Sequence, residues 1–232
     1  MFKDKVVIIT GASSGIGKAL AVELSKRGAF VVLASRNIEK LAETKSNCNQ
    51  YNSHALIVKT DVTIENDCKE LINSAVKEFG KIDILINNAG ISMRALFKDL
   101  DLKVIRQLMD VNFWGGIYCI KYALPYLLET KGSVVGVSSI AGYRGLPGRT
   151  GYSSSKYAMR GFLETLRTEN RKTGLHVLIV APNFTASNIR NTALTADGTI
   201  QSESPRDENI MMTPEEVARR ICNAIIKRKV II

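Results

Sequence analysis

Three observations place this chain in the α/β class, as a single doubly wound parallel sheet with helices on both faces. Short apolar runs of four to six residues alternate with longer amphipathic stretches; glycine or another turn residue closes most of those stretches; and each run is separated from the next by a helix, so consecutive strands run parallel through crossovers. In order, 6–10 reads as a strand, 16–27 as a helix closed by Gly28, 31–35 as a strand and 38–50 as a helix. Residues 55–60 form the third strand, 65–79 a helix with Gly80 at its end, and 82–87 the fourth strand. One long helix over 103–129 follows, then a strand over 133–139, a helix over 152–172 ended by Gly174, and a strand over 175–181. Residues 183–213 hold no apolar period and read as a long loop of the kind that covers a site. Pro214-Glu-Glu opens a last helix to about 227, and Val230-Ile-Ile begins a strand that stops short at the chain end.

Composition narrows the class of protein. Of the 232 residues 45% are hydrophobic and 23% charged, with 17 Gly and 5 Pro, which excludes collagen-like and disordered chains. Apolar runs such as 6–9 and 82–86, the second broken by a charge, fall far below the roughly 20 residues of a membrane span, and the N-terminus runs straight into a strand pattern, so neither a span nor a leader is expected. Cys48, Cys68, Cys119 and Cys222 are scattered, with only His54 and His176 as possible companions; they read as buried filler in a reduced, cytoplasmic protein with no metal site. The net charge of +10 is concentrated beyond residue 100, where 18 Lys/Arg face 11 Asp/Glu. Aromatics do not interleave with those charges, so the basic stretches read as a solvated face and not as a nucleic-acid surface.

The chemistry-bearing motif follows the first strand: Thr10-Gly11-Ala12-Ser13-Ser14-Gly15-Ile16-Gly17 leads directly into a helix. Glycines there let the backbone approach a pyrophosphate, whose charge faces the free N–H groups and positive dipole end of the helix. The spacing is GxxxGxG. With Asn87-Asn88-Ala89-Gly90 closing the fourth strand, Tyr152-Ser-Ser-Ser-Lys156 opening a helix, Ser139 ending a strand 13 residues before Tyr152, and Asn112 lying 40 before it, the chain resembles the short-chain dehydrogenase/reductase family over essentially its whole length. None of the other six tyrosines has a Lys at that spacing.

The resemblance implies a Rossmann-type sheet and a catalytic set of Asn112, Ser139, Tyr152 and Lys156. Tyr and Lys at i and i+4 share a helix face. The ammonium, together with the charge of a nicotinamide, would lower the phenol from about 10 toward neutrality, making Tyr152 the general acid/base. Ser139 would steady the substrate oxygen, with Ser138 as its rival on the opposite strand face; Lys156 would also hold ribose hydroxyls, and Asn112 would organise a water for the proton relay. Where the family usually reads Pro-Gly after the sixth strand, this chain reads Pro182-Asn183-Phe-Thr185-Ala-Ser187. Asn183 tolerates positive φ, which would preserve the turn, and Ser187 keeps a hydroxyl where the family has Thr.

Cofactor choice rests on Ser35-Arg36-Asn37 at the end of the second strand, where an acid would signal NAD. Arg36 with no acid favours NADP(H). The cofactor set is Gly11, Ser13, Ser14, Gly15, Ile16, Gly17, Ser35, Arg36, Asn37, Asp61 and Val62 near the adenine, Asn88, Ala89, Gly90, Tyr152, Lys156, Pro182, Thr185 and Ser187. Gly145-Leu-Pro-Gly148 and Arg167-Thr-Glu169 resemble the hydroxysteroid dehydrogenase branch, which implies hydride transfer to or from a lipophilic alcohol or carbonyl. A 3-oxoacyl-carrier-protein reductase and a catalytically silent NADP-sensing protein stand as alternatives. Residues 1–232 read as one domain with a substrate lid at about 183–213, where Phe184, Ile189, Leu194, Ile200 and Ile210-Met-Met212 offer an apolar lining while Arg190, Asp197, Glu203, Arg206 and Asp207 stay in water. The helices around Asn112 and Tyr152 present Phe113, Trp114, Tyr118, Phe162 and Leu166, either as core or as a pairing surface for a homodimer or homotetramer.

Overall fold

The computed structural model describes residues 2–51, 53–201 and 211–232. Six strands, β1 (Val6–Thr10), β2 (Phe30–Ser35), β3 (Ala55–Lys59), β4 (Ile84–Asn87), β5 (Ser133–Val137) and β6 (His176–Val180), form one sheet in the order β3-β2-β1-β4-β5-β6. All pairs are parallel. After β3 the chain crosses to the other side of β1, so a crevice opens at the C-terminal ends of β1 and β4, where open α/β sheets bind ligands.

Both faces are covered, as continuous apolar strands require. On one face α1 (Gly15–Lys26), α2 (Ile38–Asn49) and α7 (Pro214–Ile226) bury Leu20, Leu24, Leu41, Val217 and Ile221 against Val7, Ile9, Val31 and Leu33. On the other, α3 (Glu65–Phe79), α5 (Gly115–Glu129) and α6 (Thr150–Glu169) bury Leu71, Ile72, Ile120, Leu127 and Leu163 against Val6, Ile8 and Leu85. All four cysteines are free and buried in these layers.

Several boundaries differ from the expected ones for identifiable reasons. β4 starts at Ile84 and not 82, because Asp83 turns inward: its carboxylate accepts from Lys5 Nζ at 2.7 Å, the Val6 amide at 2.9 Å and Lys81 Nζ at 3.1 Å. β5 ends at Val137, since Ser139 already caps a 3-10 turn over Ile140–Gly142 with its hydroxyl accepting from the Ala141 amide. The long helix expected over 103–129 is two helices, α4 (Leu102–Met109) and α5, joined by a π turn over Asp110–Trp114. α6 starts two residues early and stops at Glu169. The terminal residues begin to pair beside β6: Ile179 N–H donates to the Val230 carbonyl at 3.0 Å and Ala181 N–H to the Ile232 carbonyl at 2.8 Å.

The segment after β6 is not the unsupported excursion its sequence suggests. Leu194 is buried against Met93, Leu100, Val104 and Leu108, and its backbone is tied to the loop after β4 through Ser92 O and the Arg94 amide. Thr185 and Met212 form a parallel bridge, so the two ends of the segment meet. Arg190, expected in water, is buried; its Nη2 donates to the Thr185 carbonyl at 2.6 Å and approaches Met211 S at 2.7 Å. Phe184 and Ile200, expected as lining, are largely exposed at 44% and 59%, though Ile200 also touches the crevice wall. Glu203, Arg206, Asp207 and Ile210 lie outside the described residues.

Candidate active site

The crevice at the C-terminal ends of β1, β2 and β4 is a cavity of about 490 Å³. Of the expected cofactor residues, Gly11, Ser13, Ser14, Gly15, Ile16, Ser35, Arg36, Asn37, Asp61, Val62, Asn88, Ala89, Gly90 and Ser187 line it. Its floor is shaped by two glycines. Gly11 has φ +67° and its backbone lies so close to the fourth-strand loop that a Cβ would stand 2.9 Å from Ala89 Cα. Gly17 lies behind the wall; a Cβ there would overlap the Gly11 carbonyl oxygen, so this position sets how tightly α1 packs under the turn. Ser14 occupies the N-cap of α1 without a side-chain cap bond, which leaves the leading amides of the helix directed at the cavity for an anion.

The loop and β4 are bolted together by Thr10, a residue not singled out in the sequence. Its hydroxyl accepts from the Asn88 and Ala89 amides, both at 3.0 Å, while Asn88 Nδ2 donates to the Thr10 carbonyl at 3.0 Å. Arg36 is 72% exposed and stands 3.8 Å from Asp61 at the end of the cavity beside β2 and β3. Asn37 caps α2, accepting from the Lys40 amide at 2.9 Å. Ile189 and Leu194, expected as apolar lining, do line the cavity; Lys40, Thr60, Gln107, Asn188 and Thr192 line it as well, and of these five only the basic Lys40, one turn beyond Arg36, carries a sequence signal that marks it.

Behind the cavity lies the second group. Lys156 is buried, its Nζ donating to the Val137 carbonyl at 3.0 Å and standing 5.8 Å from the centre of the Tyr152 ring. Lys156 and Asn112 converge on Gly90, where a Cβ would lie 3.4 Å from Nζ and 3.1 Å from Asn112 Oδ1, so Gly90 joins this group to the cavity wall. The Ser139 hydroxyl acts on the Tyr152 phenol, opposing the upward push of burial, whereas Ser138 Oγ is buried without a hydrogen-bond partner, which separates the two rivals.

The electrostatics differ from the sequence expectation. Burial pushes the Tyr152 phenol upward, and Ser139 and Arg149 only partly oppose it, so the chain's own residues do not bring it toward neutrality. Burial pulls Lys156 down to about 8. Asn112 differs as well: its Nδ2 donates to the Ile91 carbonyl at 3.0 Å and Ser155 Oγ at 2.9 Å, and its Oδ1 accepts from the Ile91 amide at 2.8 Å. Its side chain fixes the loop after β4, with both Nδ2 protons and one lone pair of Oδ1 engaged. Asn183 also departs from expectation: the non-glycine residues at positive φ among those described are Asp4, Lys131 and Arg228, so the turn after β6 forms without a left-handed residue there. Pro182 faces a separate cavity against α7, and Thr185 is buried with its hydroxyl on the Asn183 carbonyl; neither lines the main cavity.

Comparison with known proteins agrees with this geometry. The family model described as short chain dehydrogenase matches residues 5–197. The chain is 36% identical over 220 residues to 11-beta-hydroxysteroid dehydrogenase-like 4A of Arabidopsis thaliana, covering 94% of this chain and 73% of that protein. It is 36% identical over 230 residues to 11-beta-hydroxysteroid dehydrogenase A of Sesamum indicum, covering 96% and 66%, and 37% identical over 222 residues to human dehydrogenase/reductase SDR family member 7, covering 93% and 66%. These relatives are therefore longer than this chain. Among solved structures, an alcohol dehydrogenase from Thermococcus sibiricus complexed with 5-hydroxy-NADP superposes with TM-score 0.87 at 23% identity, covering 99% of this chain and 94% of that one. A short chain dehydrogenase/reductase from Burkholderia phymatum in complex with NAD gives 0.89 at 24%, covering 100% and 89%. At that identity these two speak for the fold.

Proposed function

The chain belongs to the short-chain dehydrogenase family, and from that premise we propose that it is an NADP(H)-dependent oxidoreductase interconverting a lipophilic alcohol and its carbonyl. The observation that carries the reading is the convergence of Ser139, Tyr152 and Lys156 behind a glycine-floored cavity at the sheet's crossing point. The cavity fits a dinucleotide: Gly11 and Gly15 line its floor, Gly17 lets α1 pack tightly behind it, and the uncapped leading amides of α1 await a pyrophosphate. Bound there, the cofactor supplies the hydride and, when oxidised, a positive ring charge.

The protein's part is binding, orientation and proton movement. Lys156 Nζ, cationic below about 8, holds ribose hydroxyls and stabilises the phenolate of Tyr152. In carbonyl reduction the Tyr152 hydroxyl gives its proton to the substrate oxygen, and in alcohol oxidation the phenolate takes it back. Ser139 Oγ donates to the same oxygen and holds it beside the phenol. Asn112 fixes the Ile91 backbone and, through Ser155, the first turn of α6. NADP(H) preference is supported by Arg36 and Lys40 beside the adenine end, with no acid at the end of β2. The relatives named for hydroxysteroids support a lipophilic substrate. Four free, buried cysteines support a reducing compartment such as the cytoplasm, and among the described residues no helix is long and apolar enough to cross a membrane.

NADPH oxidation with a panel of diketones, aldehydes and ketosteroids tests the proposal. Turnover of at least one carbonyl class, lost in Tyr152→Phe, is expected. A folded, NADPH-saturated protein that oxidises none of the panel overturns it.

A further inference from the structure

Arg149 sits at the N-terminal boundary of α6, three positions before Tyr152. Its side chain turns away from solvent: Nη1 donates to Ser92 Oγ at 2.6 Å and to the Met93 carbonyl. Met93 is fully buried in an apolar cluster with Leu100, Val104, Leu108 and Leu194, and the Tyr152 ring packs against that same cluster. Arginine and tyrosine thus meet at one residue, the first through its carbonyl and the second through its surroundings. The junction is tight, since a Cβ on Gly151 would lie 3.0 to 3.2 Å from Leu108, Ile105 and Met93, and the Ala95 amide donates to the Gly148 carbonyl at 3.1 Å. No side chain caps α6, so the positive end of its dipole points the same way as the guanidinium.

We propose that Arg149 is a positioning residue for the proton transfer: it pins the first turn of α6 to the loop after β4 and fixes a permanent positive charge against Ser92 and Met93, beside the cluster on which the Tyr152 ring packs. The proposal rests on the reading of Tyr152 as the proton donor and acceptor. Lys156 stands 5.8 Å from the centre of the ring, and burial takes it down to about 8, so its charge fades where arginine's does not. Among the described residues, the cluster against which Tyr152 packs presents Met93, Ile105, Leu108 and Leu194, which carry no charge, and the Ser139 hydroxyl acts on the phenol. Arg149 opposes the upward push of burial on the phenol. It therefore keeps phenolate accessible when Lys156 begins to lose its proton.

Three variants of the full chain separate charge from pinning. Arg149→Gln retains N–H donors for Ser92 and Met93 without the charge; Arg149→Met removes both; Arg149→Lys keeps the charge. With saturating NADP⁺, the acidic limb of alcohol oxidation is expected to move up by about one pH unit in the Gln and Met variants, roughly a tenfold loss of kcat at pH 7, and to return toward wild type in the Lys variant. Tyrosine labelled with ¹³C at Cζ, its Tyr152 resonance assigned with Tyr152→Phe, reads the same titration by NMR with and without NADP⁺ and needs no turnover. A midpoint raised in Arg149→Gln and restored in Arg149→Lys upholds the proposal. A midpoint unchanged in folded Arg149→Gln overturns it, whereas a missing activity with an intact NMR shift counts against the proposed function alone.

Discussion

Tyr152 and Lys156 are both driven by burial toward their neutral forms, the phenol upward and the ammonium down to about 8. A pair so arranged is costly to keep, and its removal should show it. Lys156→Met is expected to abolish turnover while leaving the thermal midpoint at or above wild type, because an ammonium held charged at pH 7 in this interior is a burden on the fold. Tyr152→Phe removes a hydroxyl and no core volume; kcat should fall by about 10² or more with NADPH affinity and melting temperature nearly unchanged. At the adenine end, NADPH should bind at least about tenfold tighter than NADH by fluorescence titration, since a charge-assisted contact to Arg36 is worth roughly 1.5 to 3 kcal/mol. Arg36→Asp should reverse the order, and equal affinities in the wild type would refute the assignment. The grouping of the glycines at the crevice, and of Ser139, Tyr152 and Lys156 behind it, was legible because it follows from spacing along the chain. The committed amide of Asn112, the burial of Arg190 and the role of Thr10 were not, because each depends on a partner, Ile91, Thr185 or Asn88, brought close only by folding.

Among the elements, strands were read nearly to the residue, because full burial on both faces writes itself as a continuous apolar run. The π turn over Asp110–Trp114 left no such mark. Helical periodicity survives one wide turn, and the cause is tertiary: Gly115 lies against Val62 and Gly116 offers its carbonyl to Asn87 Nδ2 at 3.2 Å, seating α5 over β4. Residues 183–201 resisted reading for the opposite reason, since their anchors are Ser92, Arg94 and Met212. If this segment is the substrate lid, hydrogen exchange across 185–201 should slow when NADPH and a substrate analogue are bound together. Unchanged exchange at proven saturation would remove that role. Gly17→Ala is expected to weaken NADPH binding more than tenfold and to lower the melting temperature, because the new methyl must displace the Gly11 carbonyl.

For the molecule as a whole, acid should be felt early at one edge. His176 bridges Ser133 Oγ at 3.0 Å and the Lys229 carbonyl at 2.7 Å, and burial holds its pKa below 6.5 despite the carbonyl. The unfolded chain therefore takes up this proton first, so the contribution of His176 is complete above about 6.5 and is lost as pH falls below that value. Melting temperature should drop between pH 7 and 5, and His176→Asn should flatten the drop. Self-association, proposed from the sequence, would act at the same scale: Trp114, 45% exposed and stacked on Tyr118 at 5.9 Å, forms an aromatic surface with Phe113, while Leu166 belongs to the core. A dimer or tetramer by light scattering, broken by Trp114→Asp, is expected; monomer alone at micromolar concentration would rule the pairing out. The strand order also governs how the chain must acquire its shape. β1 meets β2 across 24 positions, Val6 to Phe30, but waits 77, Val7 to Ile84, for its other neighbour. Emerging from a ribosome, β1 to β3 can assemble as a three-stranded ribbon in which β1 has a bare flank, and the longer loop closure that covers it with β4 comes later and more slowly. Until β4 is synthesised, that flank is a template for any passing strand, so the interval between residues 59 and 87 is when this protein most needs a chaperone.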